Sequence, residues 1–384
     1  MSVFTITRQP DLLDFYSVRQ GYIVTKLDDI MTMPLKPFSM KIQELDHYYL
    51  LPSNSISPRG IMIFLHSCKR TGSTLFNLPE DRIIAYDALQ KGLAVLAPTS
   101  RHRESGCWTQ MDLSTIEDVV DNFIETHNLE SLPRMGMGDS SGASFLFFVY
   151  KSLQLKSMAI YNSPQSYHPD DLEKGLGIPT VLLTMPADET LYTKVLMNYE
   201  NLQSSNIPSQ LYKVTPRPFT SEVCIARFPE MEQQDCDKLF SSINNELPHM
   251  LDRHSFVKGS LTTEQWESFF DKLQLDYESV KGHYLEDPSK PGHTWIHEAI
   301  REEIKSCQGF HALTSEHHDS ILEFLMREAG IYKRRNKELE EIGGAKKKDA
   351  IITEETSPYE SEHNNQDEEW YSSSTSSTDE TTNE

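Results

Sequence analysis

The sequence predicts an α/β chain: a mostly parallel, doubly wound sheet carrying a large helical insertion. Short, continuous apolar runs such as "IMIFLH" (61–66), "LAVLAP" (93–98) and "PTVLLTM" (179–185) are bounded by turn residues. Such runs mark strands buried on both faces. Amphipathic helical patterns alternate with them at lengths that suit crossover connections, which parallel strands require.

From Met1 to about Ile30 the pattern is weak, and residues 1–39 read as an N-terminal extension. "FSMKIQELDHYYLL" reads as strand material closed by the turn "PSNSISPRG". After "IMIFLH", the stretch "EDRIIAYDALQKG" (80–92) is a helix that stops at Gly92. "LAVLAP" follows, and then "STIEDVVDNFIETHNL", which places Ile116, Val119, Val120, Phe123 and Ile124 on one face. Ser114 and Glu117 have the spacing of a capping box at its start. "MGMG" (135–138), "KSMAIYN" (156–162), "PTVLLTM" and "SQLYKVT" (209–215) complete the predicted strands. Residues 216–306 break the rhythm: they are helix-rich, without a strong strand run, and read as an insertion packed over the sheet. "SEHHDSILEFLMREAG" (315–330) is a final amphipathic helix, so the folded domain is expected to span 40–330. Residues 331–384 are charged and end in an acidic Ser/Thr-rich tract with almost nothing to bury, which predicts disorder.

Charge and composition exclude several classes. The net charge is −22, and half of it lies in the last 36 residues. An acidic body argues against a nucleic-acid partner, because phosphate binding depends on Lys and Arg. Cys68, Cys107, Cys224, Cys236 and Cys307 form no C-x-x-C pair, so the spacing suggests neither a zinc site nor a disulfide framework. No run is long enough to span a bilayer, and the start lacks the layout of a signal peptide. A cytoplasmic setting is the expectation. His293 and His297 stand four apart in "HTWIH", a spacing that can hold a metal. No third ligand accompanies them, so neither a metal nor a cofactor is expected.

The chemistry concentrates in "RMGMGDSSGASFLFFVY" (134–150). Gly138-Asp139-Ser140-Ser141-Gly142 lies between a predicted strand and a predicted helix, the context of a nucleophile elbow. The turn is so sharp that side chains two positions either side of the serine would clash, and glycines at 138 and 142 remove that clash. The helix that begins there points free N–H groups at developing negative charge. Taking Ser141 as the nucleophile would put Asp139 in a crowded position, which favours Ser140. The letters also resemble the Gly-Asp-Ser-Gly-Gly of chymotrypsin-like proteases, but the all-β pattern and upstream histidine setting of that fold are missing. A dinucleotide-binding turn fails as well, since Ser141 stands where a third glycine belongs. The plain alternative is a glycine-relaxed turn without chemistry.

A serine hydroxyl needs a base, and the base an orienting acid. Here the chain resembles the α/β-hydrolase superfamily, whose order is serine, acid, histidine. The resemblance covers roughly residues 40–330, with the insertion matched only loosely. It implies Asp188 in "PTVLLTMPADET" as the acid, with Glu189 in reserve, and His311 in "CQGFHALTSEHHDSILEFL" as the base. Asp188 also reads as a helix cap, and His311 as a structural imidazole. His317 and His318 read as solvated helix-face residues. The oxyanion donors implied are the N–H groups of Ser141 and Cys68, with Ser67 as fallback. Where the family usually shows His-Gly-x, this chain has His66-Ser67-Cys68. "HSCKRTGSTLF", "SGCW" and "GDSSGAS" are similar to a little-studied eukaryotic branch, a likeness that implies no substrate.

Around the site, "SRHRESGCW" (100–108) leaves the carboxyl end of a strand, where open α/β sheets bind ligands. Arg101 and Arg103 are candidates to hold a substrate anion, with Trp108 as an apolar wall, against the reading of a solvated basic loop. The 216–306 insertion separates the acid from the histidine and is expected to form a lid over the site. Phe219, Phe228, Trp266, Phe269 and Phe270 are candidates for its packed underside. The sum is a serine hydrolase acting on a small-molecule ester or thioester through an acyl-enzyme on Ser140, with peptidase or amidase activity left open. The alternative is a non-catalytic relative kept as a binding or interaction module. Oligomeric state cannot be read from the chain.

Overall fold

The computed structural model describes residues 35–53, 55–102, 104–228, 231–247, 250–252, 255–258, 261–273 and 295–332. Expectations for most of the N-terminal extension, Arg103, His293 and the acidic tail lie outside them. In chain order the strands and helices are β1 (Phe38–Ile42), β2 (Leu45–Leu50), β3 (Gly60–Leu65), α1 (Thr74–Asn77), α2 (Pro79–Gln90) and β4 (Leu93–Ala97). Next come α3 (Leu113–His127), β5 (Arg134–Asp139), α4 (Ser141–Val149), β6 (Leu155–Tyr161), α5 (Pro169–Glu173), β7 (Thr180–Thr184), α6 (Glu189–Ser204) and β8 (Ser209–Lys213). The last are α7 (Ser221–Arg227), α8 (Gln233–Glu246), α9 (Thr263–Lys272), α10 (Trp295–Gln308) and α11 (His318–Glu328). Among the described residues, no helix is long and apolar enough to cross a membrane.

The strands form one eight-stranded sheet in the order β1-β2-β4-β3-β5-β6-β7-β8. β3 to β8 run parallel, and β2 is antiparallel to both β1 and β4. Side chains alternate between two cores, as the pleat requires. Ile61, Ile63 and Leu65 of β3 pack with α3, α4 and α6 on one face, while Met62 and Phe64 pack with α2 and α11 on the other. That two-sided burial is why these strands read as unbroken apolar runs.

Two local details differ from the sequence expectation. "FSMKIQELDHYYLL" is a hairpin rather than one strand, because Gln43 and Glu44 both take positive φ (50° and 64°) and reverse the chain. The capping box falls at Thr109 and Asp112, not at Ser114 and Glu117: the Asp112 carboxylate accepts from the Thr109 N–H at 2.8 Å. That pair opens a 3-10 turn, Gln110–Asp112, which runs directly into α3, so Ser114 already lies inside a helix.

Helices α7 to α9 fall within the predicted insertion, α10 runs two residues past its boundary at 306, and together they surround their own apolar core. Phe219, Phe228, Trp266, Phe269 and Phe270 all belong to it. Beneath that core lies a buried ionic knot. Arg217 approaches Glu303 at 2.7 Å, Glu80 at 3.6 Å and Glu316 at 3.7 Å, and Arg227 approaches Glu80 at 2.9 Å. All five side chains are at most 6% exposed. The knot ties α10 to α2 and to the segment just before α11.

The structure also contains two disulfides, Cys68–Cys107 and Cys224–Cys236, where the cysteine spacing suggested none; Cys307 is free and buried. Each pair is made by the fold, one between the loops that follow the neighbouring strands β3 and β4 and one between α7 and α8. Spacing along the chain does not reveal such pairs.

Two stability predictions follow from these ties. Removing one member of a buried ion pair leaves its partner uncompensated, so Arg217→Met is expected to cost about 3–5 kcal/mol in urea unfolding. Adding Glu303→Leu should recover a large part of that loss; a single-variant cost below about 1 kcal/mol would contradict a tight knot. Replacing Cys68 and Cys107 together by serine is expected to lower stability by roughly 2–5 kcal/mol, read from the same unfolding curves under non-reducing conditions. An unchanged midpoint would show that the loop pair is not bonded in solution.

Candidate active site

The site sits where the sheet's connections part. From β3 the chain passes to β4 on one side, then returns across β3 to β5 on the other. The carboxyl ends of β3 and β5 therefore open a crevice, the switch point where open α/β sheets hold ligands. "HSCK" leaves the first of these strands and "DSSG" the second.

Ser140 follows β5 directly and has φ 53° and ψ −112°, a conformation an ordinary side chain rarely adopts. Strain of that kind costs on the order of 1–3 kcal/mol and persists only where the surroundings fix it. Two backbone hydrogen bonds fix it here: the Ser140 N–H donates to Tyr161 O at 2.9 Å, and its carbonyl accepts from the Ser144 N–H at 2.9 Å. The flanking glycines carry the packing. A Cβ on Gly138 would stand 2.7 Å from the Ala143 nitrogen, and one on Gly142 would stand 2.1 Å from Leu65 O. The second contact means that Gly142 does more than relax its own turn: it lets α4 press against the end of β3, beside Ser67 and Cys68.

His311 and Asp188 reach the same crevice from distant parts of the chain. His311 Nε2 lies 3.0 Å from Ser140 Oγ, and its Nδ1 lies 3.2 Å from Asp188 Oδ2. With Nδ1–H donating to the carboxylate, Nε2 is free to accept the serine proton. The other Asp188 oxygen accepts from the Leu191 N–H at 3.2 Å and caps α6. Asp188 therefore caps α6 with one oxygen and meets the His311 ring with the other, and the capping bond fixes the carboxylate's direction. Glu189 is the first residue of α6. Asn162 had no sequence signal beyond ending a strand, yet its amide donates to Asp139 Oδ1 at 3.2 Å and to Ala312 O at 2.7 Å. It links the residue before Ser140 to the residue after His311. Asp139 is buried, and that burial raises its carboxyl above the usual range despite His311 and Arg70 nearby.

The loop after β3 is braced from several sides. The His66 ring donates from Nδ1 to Ser67 O at 2.8 Å and accepts at Nε2 from the Ser100 N–H at 3.1 Å. Trp108 Nε1 donates to His66 O at 2.9 Å, and the Lys69 N–H donates to Ser105 O at 2.7 Å. Gly72 lets the loop fold back, since a Cβ there would stand 1.9 Å from Ala97 O. Among the described residues, the N–H groups of Cys68 and Ser141 have no acceptor of their own. Cys68 lines the same cavity as Ser140, and Ser141 directly follows Ser140 at the start of α4.

A cavity of about 300 Å³ opens on these groups. Its wall includes Ser67, Cys68, Asp139, Ser140 and His311 from the sheet side, and Leu261, Trp266, Glu298, Arg301, Glu302 and Lys305 from the insertion. Two substrate-binding candidates are not part of it. Trp108 is buried in the core against Phe145 and braces the loop from behind, and the Arg101 side chain is exposed while its N–H is held by Asp112. The basic groups on the wall are instead Lys69, Arg70, Arg301 and Lys305. Burial disfavours a charged Glu302, but Arg70, Lys305 and Arg301 outweigh it and hold that carboxyl down at about 2.

His318 is placed differently from expectation. It is buried, with its ring bonded to Asp87 and to Ser315 O, so it is a structural imidazole rather than a solvated one. His317 stacks on Tyr212 at 4.8 Å, and His297 stacks on Phe270 at 4.2 Å.

No family model matches the sequence. No curated protein matches it either. Solved structures do resemble it, at low identity. The acetyl xylan esterase of Aspergillus awamori is 18% identical with a TM-score of 0.35, over 44% of this chain and 79% of that one. The dienelactone hydrolase of Anabaena variabilis is 17% identical with a TM-score of 0.34, over 47% and 87%. A ferulic acid esterase is 10% identical with a TM-score of 0.38, over 46% and 88%. None of them bears on the eukaryotic branch. The strand order, the antiparallel β2 and the strand-turn-helix at Ser140 are features of this chain itself, and with them it has the α/β-hydrolase fold.

Proposed function

We propose that the protein is a serine hydrolase that cleaves a carboxylic ester or thioester. The observation that carries this reading is the contact of His311 Nε2 with Ser140 Oγ at 3.0 Å, with Asp188 on the far side of the ring. In the proposed reaction Ser140 Oγ attacks the carbonyl carbon as His311 takes its proton. The carbonyl oxygen, now negative, accepts from the N–H groups of Ser141 and Cys68, each such donor supplying about 3 kcal/mol. His311 returns the proton to the departing alcohol or thiol, leaving the acyl group on Ser140. Water, deprotonated by the same imidazole, then releases the acid. No step calls for a metal or a cofactor. Asp188 keeps His311 in the tautomer that can accept a proton and stabilises the imidazolium that forms.

The insertion is assigned the role of a lid. Six of its side chains belong to the cavity wall, which supports a part in substrate choice and in keeping water from the acyl-enzyme.

A fluorophosphonate probe tests the assignment of the nucleophile. It is expected to label the native chain and to leave Ser140→Ala unlabelled at equal folded concentration; equal labelling of both would remove Ser140 from the mechanism. Asp188→Asn tests the acid separately. It should lower kcat for a p-nitrophenyl ester by roughly 10³–10⁴-fold with little change in KM, because the amide reverses the tautomer. A drop of less than about tenfold would make Asp188 a helix cap and nothing more.

A further inference from the structure

We infer that the substrate carries an anionic group, a carboxylate on the ester or thioester, which binds in the wall of cations facing Ser140. This inference rests on the hydrolase reading and names its substrate class. Three cations on that wall share two carboxylates. Arg70 lies 3.0 Å from Glu302 and 3.3 Å from Glu298, Lys305 lies 2.9 Å from Glu302, and Arg301 pairs with Glu298. Among these five groups the cations outnumber the carboxylates by one; Asp81, which also acts on Arg70, is pushed toward its neutral form by burial. Lys69 adds another cation at the rim, exposed and without an ion-pair partner among the described residues.

The three shared cations are not equivalent. Arg70, at 11% exposed, is held between its two carboxylates and ties the loop after β3 to α10. Arg301 and Lys305 are 25% and 37% exposed, on the same helix and in the same cavity as Ser140 and His311. Arg301 Nε is buried and has no acceptor among the described residues. A buried donor left without a partner is costly, which marks the Arg301 guanidinium as incompletely satisfied by its pairing with Glu298. The third carboxyl on the wall, Asp139, is pushed toward its neutral form by burial and so opposes an anion less than an ordinary aspartate. Apolar lining is sparse by comparison: Leu261 and Trp266 supply it, which gives a plain alkyl chain little to bury against.

The test compares 4-methylumbelliferyl monoesters of adipic and suberic acids with the hexanoate and octanoate esters. It also compares 4-carboxyphenyl acetate with phenyl acetate, so that charge is presented on either the acyl or the leaving group. The native chain is expected to favour the charged member of at least one series by about 10–100-fold in kcat/KM, the value of one or two charge-assisted hydrogen bonds. That preference should shrink as salt is raised from about 0.05 to 0.5 M. Arg301→Gln and Lys305→Gln should each reduce it by at least about fivefold, mainly through KM. Hydrolysis of the neutral esters with no preference in either series would overturn this inference and leave the hydrolase reading standing. Absence of both turnover and fluorophosphonate labelling in folded protein would overturn the two together.

Discussion

The constraint on which the rest of the site depends is steric: a serine held at positive φ where β5 ends, with α4 packed against the last carbonyl of β3. Only glycine at 142 permits that packing, since any Cβ would enter Leu65 O. Once it is granted, several features follow together. The hydroxyl meets the His311 ring, α4 starts directly after Ser140, and the loop after β3 lies alongside. The strained backbone stores energy that the two flanking hydrogen bonds and the apolar packing of α4 offset. The turn is thus an instance of local strain maintained by a well-packed frame rather than by its own preference.

The frame extends outward in tiers. Asn162 ties the turn to the segment carrying His311, and the Asp188 carboxylate spends one oxygen on α6 and the other on the imidazole. The loop after β3 is held by His66, by Trp108 and by the Cys68–Cys107 bond, and Arg70 carries that restraint into α10. The buried knot of Arg217, Arg227, Glu80, Glu303 and Glu316 then holds the other side of α10. One helix of the insertion is therefore fixed on two faces by ion pairs of different exposure. The face toward the cavity keeps cations within reach of solvent; the face toward α2 does not. This division gives the insertion both its anchorage and its chemical character.

What the sequence disclosed, and what it withheld, follows the range of the forces involved. The strands were legible because burial on both faces leaves an uninterrupted apolar signature, and the turn at Ser140 because its crowding admits only glycine at two fixed positions. Asp188 and His311 were legible through order and element context once a family resemblance was recognised. Trp108 was misjudged as a wall because an aromatic near a strand's carboxyl end gives no hint of which way its ring turns. His318 looked solvated because its partner Asp87 lies on a helix far away in sequence. The cysteine pairs, Asn162 and the place of the α10 cations in the cavity of Ser140 share that character: the fold brings them together, and no local pattern reveals it.

The most direct measurement is a crystal structure of the protein after reaction with a phosphonate ester, a mimic of the tetrahedral intermediate. The account predicts a covalent bond from phosphorus to Ser140 Oγ, with the phosphoryl oxygen accepting from the N–H groups of both Ser141 and Cys68. A phosphonate attached elsewhere, or one whose phosphoryl oxygen faces away from those two donors, would contradict it.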